Sequence, residues 1–409
     1  MKKIAILMVM VFTISVAFGQ KNVRQTASNY LRSGKLDKAV AAINECVQNP
    51  STIQDARSWF IRGNIYLEIA NSTNEKYSSL DPDPLPKAIE SYRKAIEYDT
   101  KKNFYDDILQ KLNWQRNNLY NQAVDSYNQA TAALNSNQPE AATEHYLSAM
   151  NYFAGAVDVI AVVDLVDTVA MLNTAYCATL AEDVENAKKY YLMLLEAGYQ
   201  TPAIFVSLSD IYRGQEDVEN ALKIIQQGKE AFPGDPTVFL GETSVFLTFN
   251  MTDQAQTNLL EYIEIDTMNA SVYYALGTIY NKIVDDTAIS DDAVKKDAFD
   301  KAINAYQRAL DLNTEYFEAY YNFGALYVSE AALIDDEANS LPLDEVAEYE
   351  RLKGEANKYL MLAAPYLEKA IEMQPNDVNA LQTLRQIYAR TKQKEKLKEV
   401  NAKIDSVTQ

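Results

Sequence analysis

The stretch from residue 270 to residue 312 constrains the fold most strongly, because small and aromatic residues recur in it at helical spacing. Residues three or four apart lie on one face of a helix. The face of the first segment carries Tyr273, Leu276, Gly277 and Tyr280, and the face of the second carries Ala302, Tyr306 and Ala309. A glycine or alanine opposite a tyrosine lets two backbones approach closely. The stretch therefore predicts a pair of helices packed through small and aromatic residues.

This pattern resembles the tetratricopeptide repeat (TPR), a helical pair of about 34 residues with A-x3-Y/F-x2-A on its second helix. It recurs, with drift, over nearly all of the sequence after residue 20. Glycine (12) and proline (11) are scarce for 409 residues, which favours stacked helices over sheets. The predicted fold class is all-α. The resemblance implies a right-handed superhelical solenoid of about nine TPR-like helical hairpins with acidic loop insertions.

Three of the repeats carry extra residues between their two helices, at 74–86, 281–298 and 328–358. The segment Asp81-Pro82-Asp83-Pro84 in the first insert is too rich in proline for a helix and predicts an extended loop. Acidic residues recur in all three inserts, among them Asp81, Asp285 and Asp335. We interpret these inserts as solvated loops in preference to a calcium site or a dock for a basic partner. The D-x-D-x-D-G calcium pattern is missing from them.

Residues 1–19 have the features of a signal peptide. Lys2 and Lys3 precede an apolar run, and Ala17-Phe18-Gly19 provides a small-x-small cleavage site. We expect cleavage before Gln20 and export to a periplasmic or outer-membrane-associated location. The run Val157–Val166 contains two aspartates and predicts a buried helix, so no membrane span is expected in the mature chain.

The remainder is expected to divide into two parts. Residues 20–160 form N-terminal TPR-like repeats with an atypical long helix over Phe104–Leu134, and residues 161–409 form C-terminal repeats with a terminal cap. Cys46 and Cys177 lie about three repeats apart, too far for a disulfide in a solenoid. We expect both to be small buried residues.

Several function classes are disfavoured. The formal net charge of −19 opposes binding to nucleic acids and anionic lipids. His145 is the single histidine, so a usual zinc site or a histidine-based catalytic triad cannot be assembled. Phosphate-binding and dinucleotide-binding glycine motifs are also missing. We predict a protein that is not an enzyme and that needs no cofactor or metal.

TPR solenoids hold peptides or helices in a concave groove lined by the first helix of each repeat. The resemblance places these residues in that groove: Arg24, Leu31, Arg57, Phe60, Asn64, Asp210, Arg213, Leu240, Ser244, Tyr274, Asn281 and Tyr321. The basic residues near the N-terminus suit a carboxylate on the ligand. Tyr274 and Tyr321 either anchor a ligand or contact neighbouring helices as wall residues.

The predicted function is a non-catalytic protein–protein interaction scaffold or adaptor in the bacterial cell envelope, holding a partner peptide or helix. The alternative is a glycan-binding or nutrient-binding envelope protein on a helical-repeat scaffold. A weaker third alternative is an enzyme with an unrecognised site in the 328–358 insert. The sequence leaves the identity of the partner open.

Overall fold

The computed structural model describes residues 22–286 and 288–408, and within them the regular structure is helical throughout. Nineteen α-helices and a short 3-10 turn at Ala161–Val163 account for it. The predicted signal peptide at 1–19 lies outside the described residues. The all-α class predicted from the sequence is confirmed.

The chain divides into two compact units, unit 1 (Met1–Gln200) and unit 2 (Thr201–Gln409). The helices of unit 1 are α1 (22–32), α2 (Leu36–Gln48), α3 (Ala56–Ala70), α4 (Glu75–Ser78), α5 (Pro84–Tyr98), α6 (Tyr105–Asn135), α7 (Pro139–Ile160), α8 (Thr168–Leu180) and α9 (Val184–Glu196). The helices of unit 2 are α10 (Pro202–Gly214), α11 (Val218–Ala231), α12 (Pro236–Thr248), α13 (Thr252–Ile265), α14 (Ala270–Asp285), α15 (Asp292–Leu312), α16 (Phe317–Ser340), α17 (Val346–Met373), α18 (Val378–Arg390) and α19 (Lys394–Thr408).

Consecutive helices pack as hairpins, and the described part of the chain contains nine of them, as the sequence predicted. Unit 1 holds α1/α2, α3/α5, α6/α7 and α8/α9, with the single-turn α4 between α3 and α5. Unit 2 holds α10/α11, α12/α13, α14/α15, α16/α17 and α18/α19. Each unit is therefore a stack of helical hairpins.

Tight turns join the helices of several hairpins, and their residues explain the geometry. Between α8 and α9, Glu182 adopts a left-handed φ of 59°, which ends one helix. Asp183 then caps the next helix by accepting a hydrogen bond from the backbone N–H of Asn186 at 3.1 Å. The same arrangement recurs between α10 and α11 at Glu216 and Asp217.

The closest packing within a hairpin brings a glycine of the first helix against a tyrosine of the second. A Cβ atom on Gly277 would lie 2.7 Å from Cδ1 of Tyr306, which is 1% exposed. In unit 1 a Cβ atom on Gly63 would lie 2.6 Å from Cδ1 of Tyr92. Even one methyl group therefore does not fit at either glycine without displacing a buried ring.

The longest helix of unit 1 is α6, which confirms the atypical long helix predicted near Phe104–Leu134. It packs against α7, and α7 packs in turn against α8.

The two compact units divide between Gln200 and Thr201, whereas the sequence pattern predicted a boundary at 160/161. The predicted position lies at a 3-10 turn inside unit 1, where the α7–α8 packing continues across it.

Helix α7 is apolar and partly buried inside unit 1. The segment Pro139–Val163 is long and apolar enough to cross a membrane by length and composition, and 56% of its most apolar window is buried within the protein. Cys46 and Cys177 are also buried, at 0% and 1% exposure, and form no disulfide. Burial raises the pKa of both thiols to about 11.

The loop prediction is confirmed for residues 79–83 of the first insert and is wrong for most of the other two inserts, whose residues lengthen helices. Helix α5 begins at Pro84, where proline is tolerated since the first-turn N–H has no helical partner. Within the predicted inserts at 281–298 and 328–358, the connections between helices are only residues 286–291 and 341–345. Buried residues at helical spacing hold the extended ends of α16 and α17 together: Ala331, Ile334, Ala338, Leu352 and Ala356.

The interpretation of the acidic residues as solvated is also wrong for two of them. Asp81 is 8% exposed and forms an ion pair with Lys87. Asp335 of α16 forms ion pairs with Arg390 at the end of α18 and with Lys353 of α17, the latter at 3.1 Å. The Arg390 guanidinium holds the pKa of the Asp335 carboxyl below its usual range.

We predict that Gly277→Ala destabilises the protein by about 1–3 kcal/mol, because the added methyl group overlaps the buried Tyr306 ring. Gly354 lies in α17, and a Cβ atom added there would meet nothing within 4 Å, so Gly354→Ala is a matched control. That control should stabilise by about 0.5–1 kcal/mol through helix propensity. Urea unfolding followed by circular dichroism measures both changes. Equal midpoints for Gly277→Ala and the wild type would contradict the packing.

We predict that Asp335→Asn destabilises unit 2 at neutral pH and that this difference shrinks on acidification. Because the folded-state pKa of Asp335 is depressed, its contribution is fully present above the unfolded-state pKa of about 4. The contribution is lost as the pH falls through the lower folded-state value. Thermal melts from pH 7 to pH 3 test this, with Asp344→Asn at an exposed position as the charge-matched control. A pH-independent difference between Asp335→Asn and wild type would refute the ion-pair account.

Candidate functional site

A groove in unit 2 gathers four of the positions that the sequence placed in a concave binding surface. Its cavity has a volume of about 480 Å³ and lies between α10, α12 and the start of α14. The lining residues are Val206, Asp210, Arg213, Pro236, Thr237, Leu240, Gly241, Ser244, Asn269 and Ser271. Of the predicted positions, Asp210, Arg213, Leu240 and Ser244 meet here. We refer to these ten residues as the α10–α12 groove.

Close packing of α10 on α12 forms the floor of this groove. A Cβ atom on Gly241 would lie 2.9 Å from Cγ2 of Val206 and 3.0 Å from Cδ1 of Ile225. Only glycine therefore fits at the closest contact. The start of α12 is fixed by capping, since Asp235 accepts from the Thr237 N–H at 2.8 Å.

Arg213 crosses the groove from α10 towards α12. Its Nη2 donates to Oδ1 of Asp210 at 2.7 Å, and its Nη1 donates to Oγ1 of Thr248 at 3.1 Å. Within the part of the chain that the structure describes, its buried Nε has no hydrogen-bond partner. Half-buried Val206 and Leu240 add apolar surface beside these polar groups. This mixture suits a peptide, whose backbone offers donors and acceptors and whose side chains offer apolar surface.

Asn281 lies in α14, which is the first helix of its hairpin, as α10 and α12 are of theirs. It does not line the α10–α12 groove. Its Nδ2 donates to Oδ2 of Asp285 at 2.8 Å. Among the described residues its buried Oδ1 has no donor. The structure therefore separates Asn281 from the Arg213 group of predicted positions.

Tyr274 is a wall residue of the α14–α16 contact. Its hydroxyl accepts a hydrogen bond from Nδ2 of Asn322 at 2.8 Å, and its ring centroid lies 5.0 Å from that of Tyr316. Burial raises the pKa of its hydroxyl. Tyr321, in contrast, stacks on Phe317 of its own helix with a centroid distance of 6.1 Å. Of the two alternatives for Tyr274, the contacts favour packing against neighbouring helices.

Three of the five predicted residues of unit 1 make internal contacts, namely Arg24, Phe60 and Asn64. Arg24 forms an ion pair with Asp55 at 2.6 Å, and the ring of Phe60 stacks on Phe104 at 4.8 Å. Oδ1 of Asn64 accepts from the Tyr92 hydroxyl at 2.9 Å. Arg57 is exposed, and Leu31 is half-buried on α1. The ion pair neutralises Arg24, so the predicted basic end is less positive than the sequence suggests.

Sequence reasoning missed a second cavity, of about 560 Å³, between α3 and α6. Its residues Leu67 and Asn71 continue the face of α3 that carries Asn64, one and two turns further along. Trp114 of α6 also lines it. The sequence could have indicated this surface, because Leu67 and Asn71 follow Asn64 at helical spacing. The exposure of Trp114 depends on how α6 lies beside α3, which the sequence does not specify.

Across residues 22–286 and 288–408, no group of three or more His, Cys, Asp or Glu side chains is arranged to hold a metal ion.

The comparison with protein families matches one part of unit 2. The family model described as TPR repeat matches residues 292–329, which run from the start of α15 into α16. The match covers one stretch of unit 2, and the other hairpins of the described residues repeat the same pairing of helices. The search of curated proteins found no match.

Several solved structures are similar to parts of the chain. A MamA protein is 23% identical, with 50% of this chain and 89% of that chain covered at a TM-score of 0.34. A thermophilic TPR protein from Thermus thermophilus is 14% identical, with coverages of 50% and 90% and a TM-score of 0.35. YrrB, described as a TPR protein with an unusual peptide-binding site, is 20% identical, with coverages of 48% and 89% and a TM-score of 0.29. At these identities and TM-scores the likeness says nothing about function.

We predict that Tyr274→Phe destabilises unit 2 by about 1 kcal/mol, because Asn322 loses the acceptor of its hydrogen bond. Tyr321→Phe is the matched control, since no hydrogen bond of the Tyr321 hydroxyl appears in the described structure, and should change stability little. Differential scanning calorimetry compares the two variants. If Tyr321→Phe destabilises as much as Tyr274→Phe, the hydrogen bond between Asn322 and Tyr274 does not account for the loss of stability.

Proposed function

We propose that the chain is an exported, non-catalytic protein-interaction scaffold that holds a partner peptide or helix in the α10–α12 groove. TPR repeats generally act as protein-binding scaffolds rather than as enzymes. The observation that carries this proposal is the convergence of Asp210, Arg213, Leu240 and Ser244 on one cavity of about 480 Å³. These side chains come from two separate helices and share no role in the core of either hairpin.

The chemistry of the groove supports a polypeptide ligand. Arg213, Ser244 and Thr237 can bond to backbone carbonyls or amides of a partner, and Leu240 and Val206 can cover an apolar side chain. Asp210 already pairs with Arg213 at 2.7 Å, so the groove carries no isolated positive charge. This arrangement favours a segment of mixed polarity over a strongly charged one.

Export is part of the same proposal and is supported by residues 1–19. The two lysines, the apolar run and the Ala17-Phe18-Gly19 site fit the pattern of a cleaved signal peptide. The mature chain would then begin at Gln20 and meet its partner in the cell envelope.

Site-specific photo-crosslinking in the native host tests the proposal. A benzophenone amino acid is placed at Ser244 in the groove and, in a second strain, at the exposed Gln226 of α11. We expect a discrete cross-linked protein from Ser244 and none from Gln226. Mass spectrometry of the envelope fraction identifies that protein, and the intact mass of the chain shows whether it begins at Gln20.

A blocking variant separates groove binding from chance proximity. Thr237 is exposed and lines the groove, so Thr237→Arg should occlude it and remove the cross-link. Gln227→Arg adds the same charge at an exposed position of α11 and should leave the cross-link in place. A cross-link that survives Thr237→Arg, or that forms equally from Gln226, would exclude the α10–α12 groove as the binding surface. Recovery of the chain with residues 1–19 still attached would exclude the signal-peptide proposal alone.

A further inference from the structure

The cavity between α3 and α6 of unit 1 has a composition different from that of the α10–α12 groove. It has a volume of about 560 Å³. Helix α3 contributes Leu67, Glu68 and its C-cap Asn71, and α6 contributes Asp107, Gln110, Lys111 and Trp114. We call these seven residues the Trp114 site. The site lies on unit 1, so a role for it is independent of the function proposed for unit 2.

Trp114 is the most informative residue of this site. Its side chain is 56% exposed, although α6 buries other apolar residues such as Leu112 and Leu119 almost completely. The other tryptophan of the chain, Trp59, is 8% exposed and donates its Nε1–H to the carbonyl of Ile53 at 2.6 Å. An indole that stays in water beside a cavity leaves a flat, electron-rich face available to a ligand. Such a face attracts cations.

The charges around the indole favour a positive ligand. Glu68 and Asp107 are both exposed, and neither forms an ion pair with a described residue. Lys111 supplies one positive charge, so the two carboxylates leave the site with a net charge of about −1 at neutral pH. The formal charge of −19 on the whole chain adds long-range attraction for a basic partner.

The base of the site is fixed by hydrogen bonds between the two helices. Nδ2 of Asn71 donates to Oε1 of Gln115 at 2.7 Å, and its Oδ1 accepts from Nδ2 of Asn118 at 3.0 Å. These two hydrogen bonds tie the C-terminal end of α3 to α6.

We propose that the Trp114 site binds an arginine or lysine side chain of a partner polypeptide. The cationic group would lie against the indole face, and Glu68 and Asp107 would neutralise its charge. Leu67, which is 7% exposed, would contact the methylene groups of the same side chain. The Trp114 site would thereby select basic segments, whereas the α10–α12 groove favours segments of mixed polarity.

Fluorescence titration tests this proposal on the full mature chain. The probe is the capped tripeptide acetyl-Gly-Arg-Gly-amide, and its analogue with neutral citrulline in place of arginine is the matched control ligand. We expect a saturable change in tryptophan emission with the arginine peptide and a response at least about tenfold weaker with the citrulline peptide. Trp114→Phe identifies the emitting residue, because a signal that remains in this variant arises from Trp59.

Paired charge variants show whether the local carboxylates are responsible. Glu68→Gln with Asp107→Asn should weaken binding by about tenfold or more. Asp125→Asn with Glu140→Gln removes the same charge from exposed positions outside the site and should change binding less than about twofold. Matching melting temperatures establish that both double variants fold.

Four results would overturn the proposal. The first is the lack of any saturable response to the arginine peptide, and the second is equal binding of the citrulline peptide. The third is an equal loss of binding in the two double variants, which would indicate general electrostatic attraction. The fourth is a saturable response to methyl glucoside together with none to the arginine peptide, which would assign the exposed indole to a sugar.

Discussion

The fold depends on the close approach of two helices where a glycine of one meets a tyrosine of the other. At Gly277 and Tyr306 the backbone lies so near the ring that a single Cβ atom would overlap it, and Gly63 and Tyr92 repeat this contact in unit 1. A backbone in contact with a ring fixes both the spacing and the rotation of the two helices. Once rotation is fixed, the remaining face of each first helix is also determined. The surfaces available to ligands follow from that constraint.

Some residues on the predicted binding face already contact neighbouring helices, and others remain available to a ligand. Tyr274 accepts a hydrogen bond from Asn322 and packs beside Tyr316, so much of its surface is used within unit 2. Leu240 and Ser244, on the preceding first helix α12, border open space in the α10–α12 groove. An aromatic residue on the predicted face is therefore a weaker indicator of ligand contact than an open cavity beside that face.

The sequence predicted the helical hairpins because their determinants are local: the spacing of Ala302 and Tyr306 specifies a helix face without reference to distant residues. It did not predict the lengths of α16 and α17, since the extended turns are held by contacts between helices, including the ion pair of Asp335 with Lys353. Part of the α10–α12 groove was predictable from the repeat register. The exposure of Trp114 was not, because burial depends on the lateral position of α3 against α6.

The extension of α16 also links the α18/α19 hairpin to the hairpin before it. Here Asp335, in the added turns of α16, holds Arg390 at the last turn of α18, and Arg390 also bonds to Asn357 of α17. Separation of the last hairpin must break these polar contacts as well as the apolar interface. The added helical turns of α16 therefore brace the α18/α19 hairpin against the hairpin that precedes it.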